Sequence, residues 1–140
     1  MIKIDSSDLN KFSVILRELP DEIKNDVRKV VKNSAFNIER NAKSSVNVKT
    51  GHLRRSISTK MGDMEATIHT SNLKYAPMVE FGTRPHIIRA KNKKALYWKG
   101  ASHPVKQVNH PGSKAKPYLI PAFEKEKDKF LEKLKEVIKW

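Results

Sequence analysis

The spacing of apolar residues changes at Gly51, and this change constrains the fold more than any other feature of the sequence. Before Gly51, apolar residues recur every three or four positions, which is the spacing of one face of an α-helix. Pro20 divides this part into two predicted helices, over 9–19 and over 21 to about 46. The N-terminal segment, 1–47, is therefore predicted to be helical.

After Gly51 the apolar residues alternate with polar ones, as they do in a β-strand. One face of the first predicted strand carries Leu53, Ile57, Thr59 and Met61. Gly62 and Asp63 predict a two-residue type II′ turn, in which the glycine has positive φ, and Met64, Ala66 and Ile68 continue the alternation on the return strand. Segment 52–110 is therefore predicted to be mainly strands and loops, with further short strands at MVEF, HIIRA, ALYW and PVKQV.

The C-terminal segment, 121–140, is predicted to form a helix. Pro121 suits the first helical position, acidic residues fill the early turns and lysines fill the last ones. The predicted apolar stripe consists of Phe123, Phe130, Leu134 and Val137. Helices at both ends and strands between them indicate a single α+β domain over 1–140, with the helices packed on one face of a small, mainly antiparallel sheet.

The net charge of +14 is concentrated in one segment of the chain. No Asp or Glu occurs between Phe81 and Phe123, and this segment contains Arg84, Arg89, Lys91, Lys93, Lys94, Lys99, Lys106, Lys114 and Lys116. Such a segment is attracted to nucleic acid, to an acidic membrane surface or to an acidic protein. The alternative is a solvated, lysine-rich loop, and charge alone does not choose between them.

Two adjacent aromatic residues, Tyr97 and Trp98, lie within this basic segment. Aromatic side chains beside cations could stack on the bases of a nucleic acid. The alternative, favoured for Trp98, is that one ring belongs to the core and the other shields a sheet edge. No helix-turn-helix, zinc-finger or RNA-recognition pattern supports sequence-specific binding.

Catalytic chemistry has little support in the sequence. The absence of cysteine excludes disulfides, thiolate metal sites and cysteine nucleophiles. The five histidines have none of the spacings typical of metal sites. Histidine with lysine or arginine could serve a small metal-independent ribonuclease, but any basic protein with several histidines has those groups. We therefore expect no enzymatic activity, no catalytic residue, no metal and no cofactor.

No membrane-associated segment is expected either. No stretch approaches the roughly 20 apolar residues needed to span a bilayer, and the N-terminus lacks the basic and apolar regions of a signal peptide. The sequence therefore predicts production in the cytoplasm and no membrane partner.

Glycines and prolines lie at both ends of the basic segment. In VEFGTRPH, Gly82 allows the chain to reverse and Pro85 keeps the residue before it extended. In HPGSKAKPYLIP, Gly112 allows a second reversal, and Pro117 and Pro121 bracket a stiff stretch. These residues are typical of loops that are held at defined angles.

Five motifs in order, TGHLRRSI, YAPMVEFGTRPH, KKALYW, HPGSKAKPYLIPAFE and the lysine-rich closing helix, resemble the neck and tail-completion proteins of long-tailed bacteriophages and prophages. These proteins are also described as tail components or head–tail joining proteins. The resemblance extends from Thr50 to about Glu124. It implies a small α+β virion protein, without enzymatic activity, that assembles as a ring at the head–tail junction after production in the host bacterium.

The resemblance also implies roles for particular residues. Determinants of the fold and of loop direction would be Gly51, Glu80, Phe81, Gly82, His110, Pro111, Gly112, Pro117 and Pro121. The basic segment would form an extended loop or hairpin that contacts a sister subunit, an acidic neck, stopper or tail-terminator protein, or DNA in the channel. Its candidate contact residues are Arg84, Arg89, Lys91, Lys93, Lys94, Lys99, Lys114 and Lys116. A basic DNA-binding module remains the alternative.

Overall fold

The computed structural model describes residues 17–47 and 51–139, and most of the predicted helix over 9–19 lies outside them. Within these residues the chain forms, in order, α1 (Asp21–Ser45), α2 (His52–Ser56), β1 (Ile57–Met61), β2 (Ala66–Thr70), α3 (Ala76–Phe81), β3 (His86–Arg89), β4 (Gln107–His110) and α4 (Leu119–Ile138). The predicted α+β class is confirmed.

Helices α1 and α4 pack against each other along their length. The buried face of α1 is a stripe of Val27, Val30, Ser34, Ala35, Ile38 and Ala42. The buried residues of α4 are Ala122 and Glu126, and Asn37 Nδ2 on α1 donates a hydrogen bond of 3.0 Å to Glu126 Oε1. The predicted stripe on α4 is wrong at Phe123, which is 51% exposed. The small side chain of Ala122 faces α1 instead, so the neighbouring Phe123 turns outward.

One core cluster joins both long helices to the first hairpin. Its members are Ile38, Ala42, Val46, Leu53, Ile57, Ala76, Tyr118 and Ala122. Ile57 is fully buried, which stabilises the fold by about 2 kcal/mol relative to an exposed side chain. Glu39 on α1 accepts hydrogen bonds from Thr59 Oγ1 (2.6 Å) and from Lys43 Nζ, so β1 is also held to α1 by polar contacts.

The β1–β2 hairpin has an antiparallel register from Ile57↔Thr70 to Met61↔Ala66. The predicted two-residue turn is wrong, because the connection spans residues 62–65 and is closed by Gly62 N–H donating to Glu65 O. Gly62 does not have positive φ. This longer loop lets Asp63 accept a hydrogen bond of 2.6 Å from Arg28 Nε on α1, which lowers the pKa of the Asp63 carboxyl.

The first predicted strand begins too early in the chain. Gly51, at φ 74°, starts the short helix α2, and Arg55 N–H donates to Gly51 O at 3.0 Å. Leu53 is therefore helical, although it is buried as a strand residue on that face would be. Alternation alone did not separate one helical turn from the strand that follows it.

The predicted strand at MVEF is helix α3. A proline lies in the first turn of α3, where its missing N–H costs no hydrogen bond, and Val79 N–H donates to Tyr75 O at 3.1 Å. The helical geometry buries Glu80 and leaves Phe81 69% exposed, whereas in a strand Val79 and Phe81 would share a face.

The remaining strands form a second two-stranded sheet. HIIRA forms β3 as predicted, while β4 covers only the end of PVKQV and continues to His110. ALYW is not a strand, and Leu96 makes an isolated bridge to Val105. Loop residues rich in lysine separate these pieces, which leaves few neighbouring side chains to support a longer ladder.

Candidate functional site

Residues 82–117 connect α3 to α4 and contain the second hairpin; we call them the arm. Strands β3 and β4 pair in a register from His86↔His110 to Arg89↔Gln107. The rings of His86 and His110 lie 5.0 Å apart between centroids. Further along, Ala90 N–H donates to Lys106 O at 3.2 Å, and Leu96 and Val105 exchange two backbone hydrogen bonds of 2.7 and 3.0 Å.

Two glycines close the base of the arm. Thr83 and Ser113 exchange backbone hydrogen bonds of 2.9 and 3.1 Å, and their hydroxyls lie 3.0 Å apart. Gly82 and Gly112 flank this bridge at φ 73° and 85°. A Cβ on Gly82 would lie 2.6 Å from Ser113 O, and one on Gly112 would overlap Thr83 O. Both positions therefore require glycine for conformation and for space.

The carboxylate of Glu80 on α3 binds the start of α4 and so holds the two ends of the arm together. Glu80 Oε2 accepts hydrogen bonds from Tyr118 N–H (2.8 Å) and Leu119 N–H (3.0 Å), and Oε1 accepts one from Ile120 N–H (2.8 Å). These donors have no partner within the helix, and its dipole favours a negative charge at this end. They compensate the buried carboxylate, which is 6% exposed.

Tyr118 joins this contact to the core cluster. Burial raises the pKa of the Tyr118 hydroxyl, and the negative charge of Glu80 raises it further. Lys116 N–H also donates to Val79 O at 2.8 Å. Both ends of the arm are consequently held at one place, where α3 ends and α4 begins.

The structure brings together some of the residues predicted as fold and loop determinants. Glu80, Gly82, Gly112 and Pro117 all lie at the base of the arm. His110 Nδ1 accepts a hydrogen bond of 3.0 Å from Gly112 N–H, across the turn at Pro111.

The other predicted determinants have different surroundings. Gly51 lies in a cleft that Val79, Pro117 and Tyr118 also line. Phe81 and Pro121 are exposed, and Pro121 is the third residue of α4 and not the first.

The cations of the arm have no anionic partners within the described part of the chain. All nine of its lysines and arginines are exposed, and none makes an ion pair within 4.0 Å among these residues. Arg84, Lys114 and Lys116 lie near the base, while Arg89, Lys91, Lys93, Lys94, Lys99 and Lys106 are distributed along the hairpin and its connecting loop.

The arm also exposes apolar surface. Tyr97 is 69% exposed and Trp98 is 49% exposed, so the expectation that one ring belongs to the core is wrong. Ile87 and Ile88 are both exposed, and as consecutive strand residues they point to opposite faces of the ribbon. The sequence carried this signal, because two adjacent isoleucines in an isolated hairpin cannot both face one core.

A second surface, on α4, was not singled out by the sequence analysis. Four acidic residues recur at intervals of four and form one row: Glu124, Asp128, Glu132 and Glu136. All four are exposed, and none makes an ion pair with another residue for which the structure gives a position. The four-residue spacing is readable in the sequence without a structure.

Metal-binding geometry is not found in residues 17–47 and 51–139. No three His, Asp or Glu side chains there are placed to hold a metal ion. The facing imidazoles of His86 and His110 make backbone contacts, since His86 Nδ1 lies 2.8 Å from Arg84 O. None of the helices in these ranges is long and apolar enough to cross a membrane.

The described residues form a body of helices and a β-hairpin that carries a basic arm with exposed aromatic residues. The family model described as "Bacteriophage HK97-gp10, putative tail-component" matches residues 10–82. The chain therefore belongs to this family of phage tail components. The match ends at Gly82, so the arm beyond that residue and α4 lie outside it. No curated protein and no solved structure matches the chain.

Proposed function

We propose that this tail component is a structural virion protein that joins the head or neck to the tail as one subunit of an oligomeric ring. Family membership supports a structural role in the tail. The observation that carries the further step is the arm, a hairpin with exposed apolar side chains on both faces and with cations that make no ion pair among residues 17–47 and 51–139. Such a surface needs a partner, and a ring supplies one to every subunit.

The base of the arm suits this role. The glycine bridge and the Glu80 carboxylate set the direction in which the arm leaves the body. A direction that is set before assembly lowers the entropy lost on binding. Sister subunits and acidic neck, stopper or tail-terminator proteins are the proposed partners.

DNA in the channel is a second candidate partner. The nine cations of the arm and the exposed rings of Tyr97 and Trp98 favour it. Binding to DNA through phosphates would weaken steeply as salt concentration rises, with a slope that follows the number of phosphates neutralised. A titration of the purified chain with duplex DNA at several salt concentrations tests this candidate directly.

Location in particles tests the proposed function. Antibody labelling or cryo-electron microscopy of intact particles is expected to show the protein as a ring at the head–tail junction. A particle that lacks the protein, or that carries it on the tail fibres or on the capsid shell, would contradict the proposal.

Deletion of residues 91–94 separates assembly from folding. These residues lie in the exposed loop of the arm, so circular dichroism and thermal unfolding should remain as in the wild type. Incorporation into particles should fall, because the deletion removes three cations. Replacing Lys60, Lys125 and Lys129, three exposed lysines of the body, by Ser is the matched control and should leave incorporation unchanged. Loss of the folded state on deletion would argue against a peripheral arm.

A further inference from the structure

We infer that the arm of one copy docks on the outer face of α4 of a neighbouring copy, with its cations against the acidic row. This inference rests on the proposed ring and names the two surfaces that would build it. It is argued from the apolar and charged groups that each surface leaves without a partner.

The arm exposes apolar side chains that no other element of the same chain buries, among the described residues. A two-stranded hairpin is marginally stable in water unless a further strand or helix packs on it. All four side chains of β3 are exposed, including Ile87 and Ile88 on opposite faces. Closure at the base holds the arm in place but removes none of this apolar surface from water.

The outer face of α4 offers apolar surface of similar kind. Ile120, Phe123 and Leu131 are 48%, 51% and 41% exposed. Their spacing of three and eight residues places them on one stripe of the helix, beside the face that packs on α1. A helix that buries one stripe on its own body and exposes a second one has a face available for another molecule.

The acidic row of α4 is opposite in charge to the arm. The acidic row of α4 lies directly beside the exposed apolar stripe, since Glu124 is one helical turn from Ile120 and Asp128 is one turn from Leu131. Lys125, Lys129 and Lys133 form a separate row on the far side of the acidic one, while Lys127 and Lys135 follow Phe123 and Leu131 by one turn and lie at the apolar stripe. The arm places isoleucines and aromatic rings among cations, with no acidic residue between Phe81 and Phe123. Both surfaces thus expose apolar side chains, and the acidic row of α4 offers carboxylates to the cations of the arm.

The two surfaces are different patches of one chain, so their contact is heterologous. Within a single copy both remain exposed, because the arm leaves the body at the N-terminal end of α4 and its strands pair only with each other. A heterologous contact between copies gives a closed ring when the rotation per subunit completes a circle. This contact would therefore produce the ring without any further surface.

Charge reversal tests the pairing of surfaces in the purified full chain. Lys93→Glu with Lys94→Glu reverses the charge at these two positions of the arm. Asp128→Lys with Glu132→Lys reverses the charge at two positions of the acidic row on α4. Sedimentation velocity up to about 1 mM should show self-association of the wild type, and each reversal should weaken it at least about tenfold. The chain with all four substitutions should associate again, because both signs are exchanged. Glu22→Lys with Glu65→Lys, exposed acids elsewhere, is the matched control and should behave as the wild type.

Cross-linking of the wild type gives an answer that does not depend on variant folding. A carbodiimide joins lysines to carboxylates in direct contact, and mixing unlabelled with ¹⁵N-labelled chains identifies links between copies by mass spectrometry. Links from Lys91, Lys93, Lys94 or Lys99 to the acidic row, between different copies, are expected. Links only within a copy, or only to other carboxylates, would overturn the inference.

The outcomes distinguish this inference from the proposed function. The α4 docking site is overturned if the wild type stays monomeric, or if the variant with Asp128→Lys and Glu132→Lys associates as well as the control. Either result would stand even if particles carry the protein at the junction. The arm would be assigned to DNA instead if the variant with Lys93→Glu and Lys94→Glu bound DNA more weakly. The variant with Asp128→Lys and Glu132→Lys would then have no effect on self-association or on incorporation into particles. Absence of the protein from particles would contradict the proposed function whatever the free chain does.

Discussion

The two hairpins of this protein have the same topology and different surroundings. β1–β2 packs on α1, with Ile57 fully buried and with polar contacts from Glu39 and Arg28. β3–β4 has every β3 side chain exposed and is held at its base by the glycine bridge and by Glu80. The first hairpin is thus stabilised by what it packs on and the second by how it is attached. We therefore propose that the first belongs to the fold and that the second contacts other molecules.

Truncating an isoleucine in each hairpin should give the largest contrast. Ile57→Ala removes a fully buried side chain from the core cluster and should cost about 4 kcal/mol in free energy of unfolding. Ile87→Ala, at an exposed position, should change it by less than about 0.5 kcal/mol. Denaturant unfolding of both variants checks this pair. Similar losses in the two variants would mean that the arm belongs to the core.

Removing the carboxylate that fixes the arm should have the next largest effect. Glu80→Ala leaves three N–H groups at the start of α4 without an acceptor and should lower the free energy of unfolding by about 3 kcal/mol. Glu124→Ala, an exposed acid in the same region of the helix, is the control and should cost less than about 1 kcal/mol. Chemical denaturation measures both, and equal costs would contradict the role given to Glu80.

Side chains at the arm glycines should destabilise the base of the arm more than the body. Gly112→Ala combines positive φ with overlap on the Thr83 carbonyl and should cost about 2 kcal/mol. Gly100, which also has positive φ but open space around it, is the matched control, and Gly100→Ala should cost about 1 kcal/mol. Hydrogen exchange should show faster opening of β3–β4 in the Gly112 variant with β1–β2 unchanged. Equally faster exchange in β1–β2 and β3–β4 would contradict the expectation that the arm opens independently of the body.

The pH dependence of the body should carry a small contribution from Glu39. Hydrogen bonds from Lys43 and Thr59 lower the pKa of this carboxyl in the folded chain. The unfolded chain therefore takes up the proton first as pH falls below the ordinary value of 4.5, and stability is lost down to the folded-state pKa. Glu39→Gln should lower the free energy of unfolding at pH 7 and flatten its dependence on pH below the ordinary value of 4.5, as thermal unfolding can measure. Thr59→Val, which removes one of the two donors, should give an intermediate curve.

The parts of the fold that sequence predicted are those with long, regular periodicity. The 25 residues of α1 and the hairpin after Gly51 follow from apolar spacing, because many residues contribute to each pattern. For short elements, apolar spacing could not distinguish a helix from a strand. One turn of helix at Leu53 resembles alternation, and α3 resembles a strand until its contact with α4 is known.

In the candidate site, too, features set by neighbouring residues could be predicted from the sequence, whereas features set by distant residues could not. Gly82 and Gly112 indicate chain reversals in the sequence, but the close approach of Thr83 and Ser113 depends on residues 30 positions apart. The acceptor role of Glu80 could not be inferred, since its three donors follow about 40 residues later. The exposure of Trp98 depends on the absence of a neighbouring sheet, which no local pattern encodes.

Hydroxyl-radical footprinting of the free chain and of purified particles tests the central claim that the arm is a contact surface. Tyr97 and Trp98 are exposed in the single chain and should be strongly oxidised there. In particles they should be protected together with Phe123, while Phe36 on the outer face of α1 should react equally in both states. Equal oxidation of Tyr97 and Trp98 in the free chain and in particles would contradict the account.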